Sequence, residues 1–124
     1  MLKLCRVDIE RSGEVLKGIE EYAKEIIGKL NPRRIILFGS FARGDINEGS
    51  DVDLIVIADW KEGFLERIKL LLDLDEFGIP LEPIGYTEEE FEDLIDGENP
   101  FILEALKEGK VIYEGLPFNQ GRSI

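Results

Sequence analysis

The chain has 124 residues, 27 acidic against 15 basic, a formal net charge of −12, no histidine and one cysteine. Affinity built on phosphate contacts needs a basic face, so this balance excludes stable nucleic-acid binding, while the same field attracts a basic protein partner. Hydrophobic residues make up 44%, which excludes a disordered chain, and no apolar run approaches the ~20 residues of a membrane span.

The length fits one domain, 1–124, with 1–11 and 116–124 peripheral. Residues 1–12 have no signal-peptide apolar core and the single Cys5 cannot form an internal disulfide, so the expected location is the cytoplasm. From Ser12 or Gly13, Val15, Leu16, Ile19, Tyr22, Ala23, Ile26, Ile27 and Leu30 recur at helical spacing, and Asn31-Pro32 ends that helix. Ile35 to Phe38 run straight into Gly39 and are too few for a self-burying helix, so they read as a strand covered on both faces.

Leu54 to Ile57 make the same case for a second strand, headed by Asp51-Val52-Asp53. Strand alternation sends Asp51 and Asp53 to one side, with Cα atoms roughly 6.5–7 Å apart. At an effective dielectric of about 20 two such charges repel by roughly 2.5 kcal/mol, which a cation between them relieves. Without histidine the donors are oxygen, which suits magnesium, with manganese as the alternative, rather than zinc. Upstream, Gly39 permits a tight turn, and Ser40 with the N–H groups after it can open a short helix aimed at an anion. Arg43 continues this turn as a candidate phosphate contact, a solvated arginine being the other reading. Together these parts describe a nucleoside triphosphate between a Gly-Ser turn and a carboxylate-bound metal.

Trp60 sits in a loop over 59–63, where packing the loop outweighs stacking on a base. Phe64, Ile68, Leu71 and Leu72 predict a second helix reaching about Phe77, stopped by Gly78. Residues 81–87, LEPIGYT, follow as a third strand. Glu82 lies there beside Leu81, Pro83 and Ile84, which is unexpected unless it faces a polar site; the other reading is a solvent-facing glutamate on an edge. Thr87 with Glu90 forms a capping box for a helix carrying Phe91, Leu94 and Ile95. Asn99-Pro100 opens another helix, stopped by Gly109, and Lys110 to Tyr113 end the pattern as a short strand.

The segment GSFARGDINEGSDVDLIV, Gly-Ser followed after ten residues by Asp-x-Asp, resembles the DNA polymerase beta superfamily of nucleotidyltransferases, and within it the minimal nucleotidyltransferases. The resemblance implies an α/β (α+β) fold, a small mixed sheet with helices packed mainly on one face. It implies transfer of AMP from ATP to a hydroxyl acceptor, with Asp51 and Asp53 holding two magnesium ions about 3.5–4 Å apart. Gly39, Ser40 and Arg43 would cradle the phosphates, and a third carboxylate is implied where Glu82 stands. Family members mostly carry Asp there, so Glu82 departs from the pattern and its role as metal ligand or general base stays open. Minimal members lack an acceptor-binding domain and frequently pair, as antitoxin, with a small helical toxin of the HEPN type; some adenylylate a tyrosine on it. A protein acceptor is therefore the expectation. A non-catalytic antitoxin or scaffold that masks its partner, and transfer to a small hydroxyl compound in a pocket completed by a homo-oligomer, are the alternatives.

Overall fold

The computed structural model describes residues 17–39, 51–76 and 80–115. Ser40, Arg43, the helix start at Ser12 or Gly13, the Gly78 stop and the terminal stretches 1–11 and 116–124, on which expectations rest, lie outside the described residues. The first helix, α1, is described over 17–30 and buries Ile19, Tyr22 and Ile26, one stripe at spacings of three and four. It stops where Asn31 takes a left-handed conformation, φ 49°, with its N–H donating to the Ile27 carbonyl at 3.2 Å, and Pro32 prevents continuation.

The remaining elements are β1 (Arg34–Phe38), β2 (Val52–Ile57), α2 (Phe64–Asp73), β3 (Leu81–Tyr86), α3 (Glu88–Asp96), α4 (Pro100–Glu108) and β4 (Lys110–Glu114). They build one sheet in the order β3-β2-β1-β4. β1 is antiparallel to β2 and β4, and β2 runs parallel to β3 through the α2 crossover. This is the α+β architecture with a small mixed sheet that the resemblance implies.

Alternation along β1 and β2 supplies two apolar faces. Ile35, Leu37, Leu54 and Val56 lie with α1 and Leu71 of α2 in one cluster. Ile36, Phe38, Ile55 and Ile57 lie with Phe91 of α3 and Ile102 and Ala105 of α4 in another. The helices therefore cover both faces rather than mainly one, because central strands that are apolar at successive positions must be covered on both sides.

α2 ends at Asp73 and not near Phe77. Its last turn carries no basic residue, and Asp73, Asp75 and Glu76 gather at the negative end of its dipole, which disfavours further turns. The caps of α3 and α4 are as expected: Glu90 N–H donates to Thr87 Oγ1 at 3.1 Å and Ile102 N–H to Asn99 Oδ1 at 3.1 Å. Trp60 is buried, donates through Nε1 to the Val56 carbonyl at 3.2 Å, and lies so close over Gly85 that a Cβ there would meet the ring at 2.8 Å. It packs its loop onto β3.

Candidate active site

β1 closes on Phe38 and the chain turns at Gly39, whose φ of +74° is left-handed backbone that a residue with a Cβ rarely adopts. A Cβ built there would stand 2.1 Å from Asp53 Oδ2. The carboxylate thus occupies the space any larger residue would need, and glycine is required at 39 both for the turn and for this approach.

Asp53 is placed by register. It pairs with Phe38 across the antiparallel ladder and with Glu82 across the parallel one, and adjacent strands lie about 4.8 Å apart. In β2 it interrupts an otherwise buried strand as a half-buried residue. Glu82 is exposed on β3, an edge strand of the sheet. Asp51 stands exposed just before β2, so water screens its repulsion with Asp53 well below the sequence-based value. The structure brings Gly39, Asp53 and Glu82 together, keeps Asp51 at their margin, and leaves Ser40 and Arg43 outside the described residues.

Asp53 and Glu82 line one cleft of about 320 Å³, whose other walls are apolar and include Phe38, Leu72, Ile84 and Phe101; its described lining holds no lysine or arginine. Among the described residues no three acidic, histidine or cysteine side chains converge as a ready metal cage. Magnesium does not ask for one: it takes one or two protein carboxylates and fills its remaining positions with water and phosphate oxygens. A carboxylate held against a left-handed glycine turn, with a second one two residues earlier, supplies an oxygen donor set that fits it.

Sequence reasoning missed Arg67. It is 7% exposed, donates through Nε to the Glu62 carbonyl at 2.7 Å and through Nη1 to the Gly85 carbonyl at 3.1 Å. It also grips Glu90 with both terminal nitrogens, at 2.6 and 3.2 Å. Glu90 in turn accepts from the Thr87 N–H at 2.9 Å, so one carboxylate caps α3 and ties α2 to α3. The bond to Gly85 holds β3 three residues beyond Glu82. The Arg67 hydrogen bond, ahead of the Thr87 contacts, holds the Glu90 carboxyl below the usual range despite some desolvation. Burial, with the nearby Glu90 charge, pushes the Tyr86 phenol up. The signal for Arg67 is visible in the sequence: it falls on the helical stripe three residues after Phe64 and four before Leu71, where a charge needs a partner.

The family model described as "Polymerase beta, Nucleotidyltransferase" matches residues 19–115. Three Methanocaldococcus jannaschii proteins, each named "Putative protein adenylyltransferase", are similar to the chain. One is 36% identical over 101 residues, 78% of this chain and 96% of the relative. The second is 38% identical over 60 residues, 47% of this chain and 61% of the relative. The third is 38% identical over 86 residues, 64% of this chain and 57% of the relative. A crystal structure from Sulfolobus solfataricus, titled a "putative nucleotidyltransferase", matches with a TM-score of 0.61 over 86% of each chain; at 19% identity that likeness shows the fold.

Proposed function

The chain belongs to the polymerase beta nucleotidyltransferase family and is a nucleotidyltransferase, and we propose that it transfers AMP from ATP to a hydroxyl group on a protein partner. The observation that carries this reading is the Asp53 carboxylate seated against the left-handed Gly39 turn, with Glu82 next to it in register. The names of the M. jannaschii relatives support a protein acceptor and adenylyl as the transferred group.

Asp51 and Asp53 are the residues that would hold magnesium, which when bound neutralises triphosphate charge and lowers the pKa of a coordinated hydroxyl. The chain's own contributions are separable from that. Gly39, Ser40 and Arg43 bind and orient the phosphates, placing fixed dipoles where charge develops. Glu82, on the far side of Asp53 from the turn, receives the acceptor's proton. The acceptor oxygen bonds to the α-phosphorus as the bond from that phosphorus to the pyrophosphate oxygen breaks, and pyrophosphate leaves.

The partner in this reading is a small helical protein of the HEPN type that presents a tyrosine, the chain acting as its antitoxin. Two features favour such an acceptor: the −12 net charge draws a basic protein, and a phenol, pKa about 10, is within easier reach of a carboxylate base than an aliphatic hydroxyl. A cytoplasmic location suits ATP as donor, and among the described residues no helix is long and apolar enough to cross a membrane. The test is calorimetric titration of magnesium-ATP into the wild type and into Asp51→Asn/Asp53→Asn, followed by pyrophosphate release on adding partner. Binding in the wild type and its loss in the double variant are expected; equal binding in both would place the nucleotide elsewhere.

A further inference from the structure

The carboxylate pair at the centre of the site works against its own register. Asp53 and Glu82 stand directly opposite each other on β2 and β3, and like charges so placed destabilise a ladder. β3 is an edge strand, with β2 its one neighbour among the described residues. A slip of one residue would relieve the repulsion, turning Glu82 to the other face of the sheet and setting Leu81 or Pro83 opposite Asp53. Contacts outside the pair must therefore hold β3 in place.

Those contacts gather three rungs along, where Val56 pairs with Gly85. Trp60 spans this rung from the loop after β2. Its Nε1 donates to the Val56 carbonyl at 3.2 Å, and its ring lies so close over Gly85 that a Cβ there would meet three ring atoms at 2.8 to 2.9 Å. If β3 slipped, Ile84 or Tyr86 would bring a side chain into that space, so the ring admits the glycine and rejects both neighbours. Arg67 closes the rung from the outer edge. The N–H groups of Val52 and Ala58 donate to the Pro80 and Tyr86 carbonyls, so alternation turns the Gly85 carbonyl away from β2. Arg67 Nη1 donates to it at 3.1 Å, in the place a further strand would take, and the same side chain is anchored to the Glu62 carbonyl and the Glu90 carboxylate. Trp60, Arg67 and Gly85 stand outside the lining of the cleft, about 10 Å along the strand from the Asp53–Glu82 rung at roughly 3.3 Å per residue.

Resting on the adenylyl-transfer reading, in which Glu82 takes the acceptor's proton, we propose that Trp60 and Arg67 are positioning residues that lock the register of β3 at Gly85 and so hold Glu82 opposite Asp53 for transfer. The nucleotide side of the site is independent of this lock. Gly39 and Asp53 are set by the antiparallel pairing of β1 with β2, which β3 does not enter. Loosening the lock therefore displaces Glu82 and leaves the magnesium-ATP site as it is.

The test compares wild type with Trp60→Phe, which deletes the indole N–H, and with Arg67→Lys, which keeps the charge and loses the fork that reaches Gly85 and Glu90 together. Ile102→Val, in the opposite core, controls for lost stability alone, and thermal melting verifies that each protein is folded. Cross-strand nuclear Overhauser contacts between backbone protons at positions 53 and 82 should weaken in both lock variants and persist in Ile102→Val. Adding Glu82→Gln to either lock variant should restore them, because the like charge that drives the slip is gone. With the partner protein as acceptor, kcat for pyrophosphate release should fall about tenfold or more in both lock variants, while calorimetric affinity for magnesium-ATP stays within twofold. Contacts between positions 53 and 82 that survive in both variants, or that Glu82→Gln fails to restore, overturn the lock. A kcat equal to wild type, or magnesium-ATP affinity that falls in step with kcat, removes Trp60 and Arg67 from positioning. Failure of the wild type to bind magnesium-ATP or to release pyrophosphate would remove the adenylyl-transfer reading instead, and the contacts between positions 53 and 82 would still decide the lock.

Discussion

Gly39→Ala tests the contact on which the site is built. Alanine at φ +74° costs about 1–2 kcal/mol as left-handed backbone. Its methyl would also stand 2.1 Å from Asp53 Oδ2, so the oxygen must withdraw by about 1.3 Å to reach ordinary contact at 3.4 Å, whereas Asp53 Cβ already lies at 3.4 Å and need not move. A displacement of that size at a reacting centre costs on the order of 10²-fold in rate. The expected result is a melting temperature roughly 4–8 °C lower and nucleotidyl transfer down about a hundredfold. A double-mutant cycle with Asp53→Ala separates the two causes, because that change removes the clashing carboxylate and keeps the Cβ. The stability cost of Gly39→Ala should shrink in the Asp53→Ala background, with a coupling of about 0.5–3 kcal/mol. An identical cost in both backgrounds would mean that the carboxylate does not press on the turn, and full activity in Gly39→Ala would mean that its position is not needed.

Glu90→Gln should destabilise at neutral pH by the lower part of the ~1.5–3 kcal/mol typical of hydrogen bonds to charged groups, since Glu90 is 44% exposed and solvent screens the pair. Because the folded-state pKa of Glu90 is depressed, its contribution is present above the unfolded-state value and lost as pH falls through the folded one; thermal melts in stepwise acid should show the gap to wild type closing, and a constant gap would contradict the pairing. Glu82→Gln should raise the stability of the nucleotide-free protein by about 0.2–1 kcal/mol, by removing a like charge directly opposite Asp53, while lowering transfer by about 10²–10⁴-fold; chemical denaturation beside a transfer assay reads both, and unchanged transfer would strip Glu82 of its role. Asp51→Asn should move that same stability by less than about 0.5 kcal/mol, because Asp51 is exposed; a larger change in the denaturation midpoint would put the repulsion with Asp53 back at its unscreened strength.

The strands and helix boundaries that rest on local chemistry were legible in the sequence. Asn31-Pro32, the Thr87–Glu90 capping box and Asn99-Pro100 act through neighbours in the chain, and all stand where the residues placed them. Alternation also put Asp53 among apolar neighbours on a central strand. What the sequence could not give is which strand lies beside which. The register that sets Glu82 against Asp53 and the approach of Asp53 to Gly39 depend on long-range pairing. The same is true of the two-sided cover: periodicity reveals that Ile36 and Ile55 are buried, but not that α3 and α4 are what buries them. Arg67 shows the remaining limit, since its partners Gly85 and Glu90 are 18 and 23 positions away.

The most direct measurement of the central claim compares ATP labelled at the α-phosphate with ATP labelled at the γ-phosphate, each incubated with magnesium, the partner protein, and either wild type or Asp51→Asn/Asp53→Asn. AMP transfer through these carboxylates predicts that only the α-label becomes acid-stable on the partner, that phosphodiesterase releases it as AMP, and that the double variant attaches none. Incorporation of the γ-label, or α-labelling that survives in Asp51→Asn/Asp53→Asn, would contradict it.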